Sequence, residues 1–199
     1  MDALFLTHED IDHTGSVAHM LEDFEVEKII VSDYFKLPNE DLQQFKKHNI
    51  SIEQVNRDDS IVIQGQKFHV IAPNKNHYSN NENSLVLYTE LGGNNWLFTG
   101  DISKSQEKEI MDAYPNLRAD VLKVAHHGSN TSSDKGFLDQ LKPDVGLISV
   151  GENNMYGHPT SEVLADLKEK GIYILRTDMD GAVQYRFNGR DGTFFTFLP

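Results

Sequence analysis

Apolar positions in this chain fall into short runs divided by polar turns, and two spacings alternate along it. Ala3 to Leu6 reads as a buried strand, and Val17, Met20, Leu21 and Phe24 recur at the three-and-four spacing of a helix starting near Gly15. Lys28 to Val31 returns to a strand, which predicts a strand-helix-strand unit followed by a helix near 39–48 after Pro38. The pattern then turns to hairpins: Ser60 to Gln64 with Lys67 to Ile71 around Gly65-Gln66, and Ser84 to Glu90 with Asn95 to Thr99 around Gly92-Gly93. Beyond Asp101 it predicts a helix near 104–113, a strand at Val121 to Ala125, a helix near 134–141, a strand at Val145 to Val150 and a helix near 160–169. Strands at 172–176, 182–187 and 193–197 follow, the first two joined through Asp180-Gly181. Strands in two groups with helices in both halves predict an α/β fold of two sheets face to face with helices outside, a four-layer αββα sandwich. Pro73 to Asn83 is a polar loop of a length that is often functional.

A length of 199 residues predicts one domain, 1–199, with a substantial core. The chain holds no apolar run of about eighteen residues and no charged-then-apolar leader, so a soluble chain is expected. It has no cysteine, which excludes disulfides, thiolate zinc sites and cysteine nucleophiles and leaves metal binding to histidine and carboxylate. A net charge of −13 argues against an extended basic groove for nucleic acid. Metal ions would have to supply much of the attraction for a polyanionic substrate, and part of the negative charge is the candidate ligand set itself.

The chemistry concentrates at strand ends. Leu4-Phe5-Leu6-Thr7-His8-Glu9-Asp10-Ile11-Asp12-His13-Thr14-Gly15 places two imidazoles and two carboxylates, His8, Asp10, Asp12 and His13, within six residues of a strand exit. Such a turn can serve two adjacent cations; the bland alternative is an acidic turn in which Asp12 or Thr14 caps the next helix. Asn95 to Asp101 repeats the logic, with Asp101 either a bridging ligand or a helix cap. Val121 to Ser129 ends a strand in His126-His127-Gly128, an unusual thing to build for packing alone. Tyr156-Gly157-His158-Pro159 closes a further strand-end loop. His69, His19, His48 and His77 lack partners nearby in sequence and are expected at the surface, His69 on the solvent face of its strand.

Together these residues resemble the metallo-β-lactamase superfamily, and within it the C-terminal soluble domain of the ComEC group of DNA-uptake competence proteins. The resemblance rests on Thr-His-Glu-Asp-Ile-Asp-His-Thr-Gly, Glu-Asn-Ser-Leu-Val-Leu, Phe-Thr-Gly-Asp-Ile, Leu-Lys-Val-Ala-His-His-Gly-Ser with Thr131-Ser132, Ile-Ser-Val-Gly-Glu-Asn-Asn with Gly-His-Pro, and Arg176-Thr177-Asp178 before Gly181-Ala182. Two departures from the wider superfamily are visible: Asp10 stands where a second histidine is usual, and Asn83-Ser84 where a lone histidine is usual. Both resemble the ComEC group and make one metal position richer in oxygen, which shifts preference from zinc toward manganese or magnesium. Superfamily members begin with strands ahead of the ligand turn, so the chain is expected to be an N-terminally truncated fragment of a longer, membrane-anchored bacterial parent.

The resemblance implies a binuclear hydrolase with two divalent ions, zinc or manganese. It places His8 and Asp10 on one ion, Asp12, His13 and His127 on the second, and Asp101 between them. His127 is favoured over His126 as the ligand because the residue next to Gly128 approaches more freely, leaving His126 for the substrate phosphate. Asn83, Ser84 and Ser129 would contact substrate, Asp12 would orient or deprotonate water, and His158 would serve the leaving side. The implied activity is phosphodiester hydrolysis by a nuclease acting on DNA during uptake. Its rivals are a hydrolase of small esters or lactones, and a non-catalytic docking or regulatory module with an incomplete metal site.

Overall fold

Ile29, Ile30 and Val31 are each 0% exposed, and this unbroken apolar run forms the middle strand of a parallel sheet, the position that favours hydrophobic residues on both faces. Each such side chain contributes roughly 1.5–3 kcal/mol on burial. The computed structural model describes residues 1–37 and 39–198, and these form two compact units, Met1–Leu87 and Tyr88–Pro199. Pro38, which the sequence sets ahead of a helix, lies outside the described residues.

In the first unit the order is β1 (Leu4–Phe5), α1 (Ile11–Thr14), α2 (Val17–Asp23), β2 (Lys28–Ser32), α3 (Asn39–Lys47), β3 (Ser51–Val55), β4 (Ser60–Ile63) and β5 (Gln66–Ala72). Strands β1, β2 and β3 run parallel in that order, with Leu4 opposite Ile29 and Ile29 opposite Ile52. Leu6, Val17, Leu21, Val26, Phe35, Phe45 and Ile50 form one cluster with Ile29 and Val31. The β4–β5 hairpin turns on Gln64 and Gly65, both at positive φ, with Ile63 paired to Gln66. The turn therefore sits one residue earlier than the Gly65-Gln66 expected, because a two-residue loop of this kind needs left-handed backbone at both positions.

In the second unit β6 (Val86–Leu91) starts at the boundary, followed by β7 (Asn94–Phe98), α4 (Lys104–Ala113), β8 (Val121–Lys123), α5 (Lys135–Leu141), β9 (Val145–Ile148), α6 (Ser161–Glu169), β10 (Tyr173–Arg176), α7 (Thr177–Asp180), β11 (Ala182–Asn188) and β12 (Asp191–Phe197). The sheet order is β10-β9-β8-β7-β6, and β7, β8, β9 and β10 are parallel, with Trp96 opposite Val121 and Val121 opposite Val145. Strands β11 and β12 form a separate antiparallel hairpin. Its Tyr185 and Phe194 pack on Trp96, at ring separations of 4.9 and 5.7 Å. The functional consequence lies in the parallel register: neighbouring strands release their carboxyl ends on the same edge, where ligands gather in open α/β sheets.

Candidate metal centre

In the first unit the ligand turn is held from both sides. Leu6 N donates to Ile30 O at 3.0 Å and Leu85 N donates to Thr7 O at 2.9 Å, which fixes the chain through His8, a residue 1% exposed. The backbone then closes into α1, with the amides of His13 and Thr14 donating to Asp10 O at 2.9 and 3.0 Å. Asp10 occupies the N-cap position of α1 but makes no side-chain cap bond. Its carboxylate instead accepts from Asn80 Nδ2 at 3.0 Å, so this acidic residue does more than cap.

Both imidazoles are anchored through Nδ1. The Thr7 hydroxyl lies 3.0 Å from His8 Nδ1 and 3.1 Å from His13 Nδ1, and Ser84 Oγ lies 3.3 Å from His8 Nδ1. On the opposite side of each ring, His8 Nε2 faces Asp10 Oδ2 at 3.9 Å and His13 Nε2 faces Asp12 Oδ2 at 3.9 Å. The two rings are tilted with centroids 4.1 Å apart. Ser84, expected at the substrate, thus backs His8 from a fully buried position. Asn83 is also buried: its amide accepts from His77 N at 2.7 Å and donates to Asn76 Oδ1 at 3.0 Å. It ties the long polar loop together through His77 and Asn76.

In the second unit Gly100, at φ 55°, turns the chain after β7 and presents Asp101, which is 2% exposed. The cap of α4 is Ser103, whose backbone amide donates to Gln106 Oε1 at 3.3 Å, leaving Asp101 for another task. After β8, His126, His127 and Gly128 take φ of 50°, 54° and 83° in succession. Two consecutive non-glycine residues in the left-handed region are costly, and such strain is characteristic of functional sites. It turns both imidazole Nε2 atoms toward Asp101: Oδ2 lies 3.5 Å from His127 Nε2 and 4.0 Å from His126 Nε2. His127 Nδ1 donates to Ser149 O at 2.6 Å, so Nε2 is the ring nitrogen that faces the carboxylate. His126 Nδ1 lies 3.3 Å from Thr131 Oγ1.

Ser129 is buried and closes its own turn, its hydroxyl accepting from Thr131 N at 3.3 Å. The His158 ring lies 5.7 Å from that of His126, and its Nδ1 is buried without a hydrogen-bond partner among the described residues. Burial, and then the neighbouring His126 and His127, hold His158 below the usual histidine range. Of the remaining histidines, His19 and His48 are exposed, whereas His69 and His77 are half-buried, and His69 Nδ1 lies 3.1 Å from Ser60 Oγ across the hairpin.

Two residues outside the sequence-based set support this architecture. Asn154 clamps the His158 loop, accepting from His158 N at 3.0 Å and donating to His158 O at 2.6 Å. Glu107, 1% exposed, accepts from Ser133 N at 2.6 Å and Asp134 N at 2.7 Å, which anchors the far end of the loop that follows His126-His127. Its sequence signal is an acid on the buried face of α4 beside Ile110. Burial pushes the Glu107 carboxyl up from 4.5 to about 7. The folded chain therefore keeps a proton that the unfolded chain releases, and stability falls as pH rises between about 4.5 and about 7. The full effect is about 3 kcal/mol. Urea midpoints should fall across that window in the parent and fall less in Glu107→Gln; equal slopes would exclude the contribution.

The donor set fits divalent ions. Two donors about 2.1 Å from one ion lie about 3.4 Å apart at a tetrahedral angle, and the donor pairs within each unit are 3.5–4.0 Å apart. Nitrogen and carboxylate oxygen without sulfur suit zinc, manganese or magnesium.

A metallo-β-lactamase superfamily model matches residues 1–152. ComE operon protein 3 of Bacillus subtilis is 42% identical over all of this chain, and competence protein ComA of Neisseria gonorrhoeae is 31% identical over 96% of it. The chain spans about a quarter of the length of these relatives, 26% in each case. Among solved structures, the metallo-β-lactamase fold protein YhfI of Bacillus subtilis has a TM-score of 0.55 at 12% identity, covering 88% of this chain and 74% of its own. The metal-dependent hydrolase Tm1679 has a TM-score of 0.56 at 11% identity, covering 86% of this chain and 75% of its own. The strand-end ligand clusters, the family model spanning three-quarters of the chain and the shared αββα fold class place this chain in the metallo-β-lactamase superfamily.

Proposed function

We propose that the chain is a metal-dependent phosphodiester hydrolase acting on DNA, using two divalent ions, and that it works as one domain of a larger, membrane-associated competence protein. One regularity carries this: in each unit an imidazole has its Nδ1 engaged by a protein oxygen and its Nε2 turned toward a carboxylate, at 3.9 Å for His8 and Asp10 and 3.5 Å for His127 and Asp101. His8 and Asp10 would hold one ion, Asp12, His13 and His127 the other, with Asp101 shared. This assignment follows the order of the superfamily motifs along the chain. Ions held so would lower the pKa of bound water and offset charge building on the attacked phosphoryl group.

The protein's own groups supply the rest. Asp12, with its side chain 55% exposed, would orient the attacking water and take its proton. His126 would contact the phosphate, and His158 would give a proton or hydrogen bond to the leaving oxygen. Asp10 and the absence of a histidine at Asn83-Ser84 make the first position oxygen-rich and favour manganese over zinc there. The DNA assignment is supported by 31% identity to a relative named for competence. Among the described residues no helix is long and apolar enough to cross a membrane.

The net charge of −13 favours a second substrate class, small esters or lactones, over a polyanion. The test is elemental analysis after reconstitution with manganese or zinc, together with turnover of DNA, bis-p-nitrophenyl phosphate and a lactone panel. Two ions per chain with diester and DNA cleavage is the expected result. Lactone turnover alone would replace the nuclease with a small-ester hydrolase, and no bound metal would leave a docking module.

A further inference from the structure

Thr7 is the residue around which the first-unit ligands are arranged. Its hydroxyl oxygen lies 3.0 Å from His8 Nδ1 and 3.1 Å from His13 Nδ1, although these histidines stand five positions apart in sequence and pair with different carboxylates, Asp10 and Asp12. We propose that the Thr7 hydroxyl is a positioning group common to both ligand pairs, holding His8 and His13 in the same tautomer and so coupling the occupancy of the two ion positions. This rests on reading His8 and His13 as metal ligands.

The chemistry follows from proton placement. A hydroxyl oxygen carries two lone pairs and can accept from two donors at once. With the Nδ1–H of both rings donated to it, both Nε2 atoms are left as lone pairs, the form a metal requires, and each points at its carboxylate. A free neutral histidine side chain prefers the Nε2–H tautomer, so the protein has to impose this one. Thr7 is suited to do so. Its carbonyl is tied to Leu85 N at 2.9 Å and the residue before it to Ile30 O at 3.0 Å, and a β-branched side chain has few rotamers. The hydroxyl is therefore fixed by the β1 segment, not by the rings it orients. Ser84 Oγ lies 3.3 Å from His8 Nδ1 and supplies an internal comparison.

The prediction separates two hydroxyls that touch the same histidine. In the metal-free chain above the histidine titration range, long-range ¹H–¹⁵N spectra of the ring nitrogens should show both His8 and His13 as Nδ1–H. Thr7→Val should shift both rings toward Nε2–H and weaken binding of both manganese or zinc ions by about 10–100-fold, the usual effect of losing a group that orients a ligand. Ser84→Ala should move His8 alone, and Thr7→Ser should restore the parent spectrum and both affinities. A Thr7→Val chain that is folded by circular dichroism and keeps both tautomers and both affinities overturns the proposal, as does one in which a single ring or a single ion responds. A parent that binds no ion overturns the hydrolase reading and the coupling, while the tautomers still decide whether Thr7 orients the rings.

Discussion

An Asp101→Asn chain is expected to stay folded and to lose bis-p-nitrophenyl phosphate and DNA hydrolysis by at least about 10²-fold, the scale set when one preorganised electrostatic partner is removed. The substitution keeps the shape of the side chain and removes its charge. Asp101 is 2% exposed, with two imidazole Nε2 atoms at 3.5 and 4.0 Å from Oδ2. An ionised carboxylate so deeply buried destabilises the fold unless positive charge compensates it. Asp101 already interacts with the charge of Lys123, so the distinguishing readout is the ion: the parent should gain melting temperature on adding manganese or zinc, and Asp101→Asn should gain less. Asp12→Ala removes a more exposed group from the first unit and should cost about 10²–10⁴-fold in turnover through lost proton transfer alone. Retained cleavage in both variants would rule out the proposed centre.

The strand ends that carry the candidate ligands are legible in the sequence, because histidine and carboxylate cluster where apolar runs stop. The segments before His8, Asp101 and His126 are mostly apolar and give way within a few residues to histidine and carboxylate, and strands form there: Leu4–Phe5, Asn94–Phe98 and Val121–Lys123. What escaped were elements whose signal is tertiary. Strand β3, Ser-Ile-Glu-Gln-Val, has too few apolar positions to stand out and forms by pairing with β2 along its whole length. The four-residue α1 lies inside the ligand turn, where its acidic sequence reads equally as loop. Thr7, Glu107 and Asn154 share a different obscurity. A single hydroxyl, carboxyl or amide has no spacing to recognise, and its role appears only when the backbone amide or ring nitrogen it serves is in place.

Gly128→Ala is expected to damage both stability and turnover, because its methyl group would enter the contact between two loops of the second unit. Gly128 has φ +83°, where a side chain is strained, and a Cβ there would lie 2.5 Å from Pro159 Cβ and 3.1 Å from Pro159 Cα. Left-handed backbone costs about 1–2 kcal/mol and overpacking about 1–3 kcal/mol, so a loss of about 2–5 kcal/mol and a melting temperature lower by roughly 4–20 °C follow. Function should suffer beyond stability, because the clash joins the two loops that carry His127 and His158. Gly128 O also accepts from Thr160 N at 3.0 Å, so the loops cannot part without breaking that bond. Displacing them by about 1 Å can cost 10²-fold in rate. Gly157 supplies the control: it has φ +68°, but a Cβ there would meet nothing within 4 Å, so Gly157→Ala carries the backbone strain without the collision. Melting and turnover measured on both variants separate the two causes. A Gly128→Ala chain no worse than Gly157→Ala would mean that Pro159 yields freely, and that the packing of these two loops does not set the position of His158.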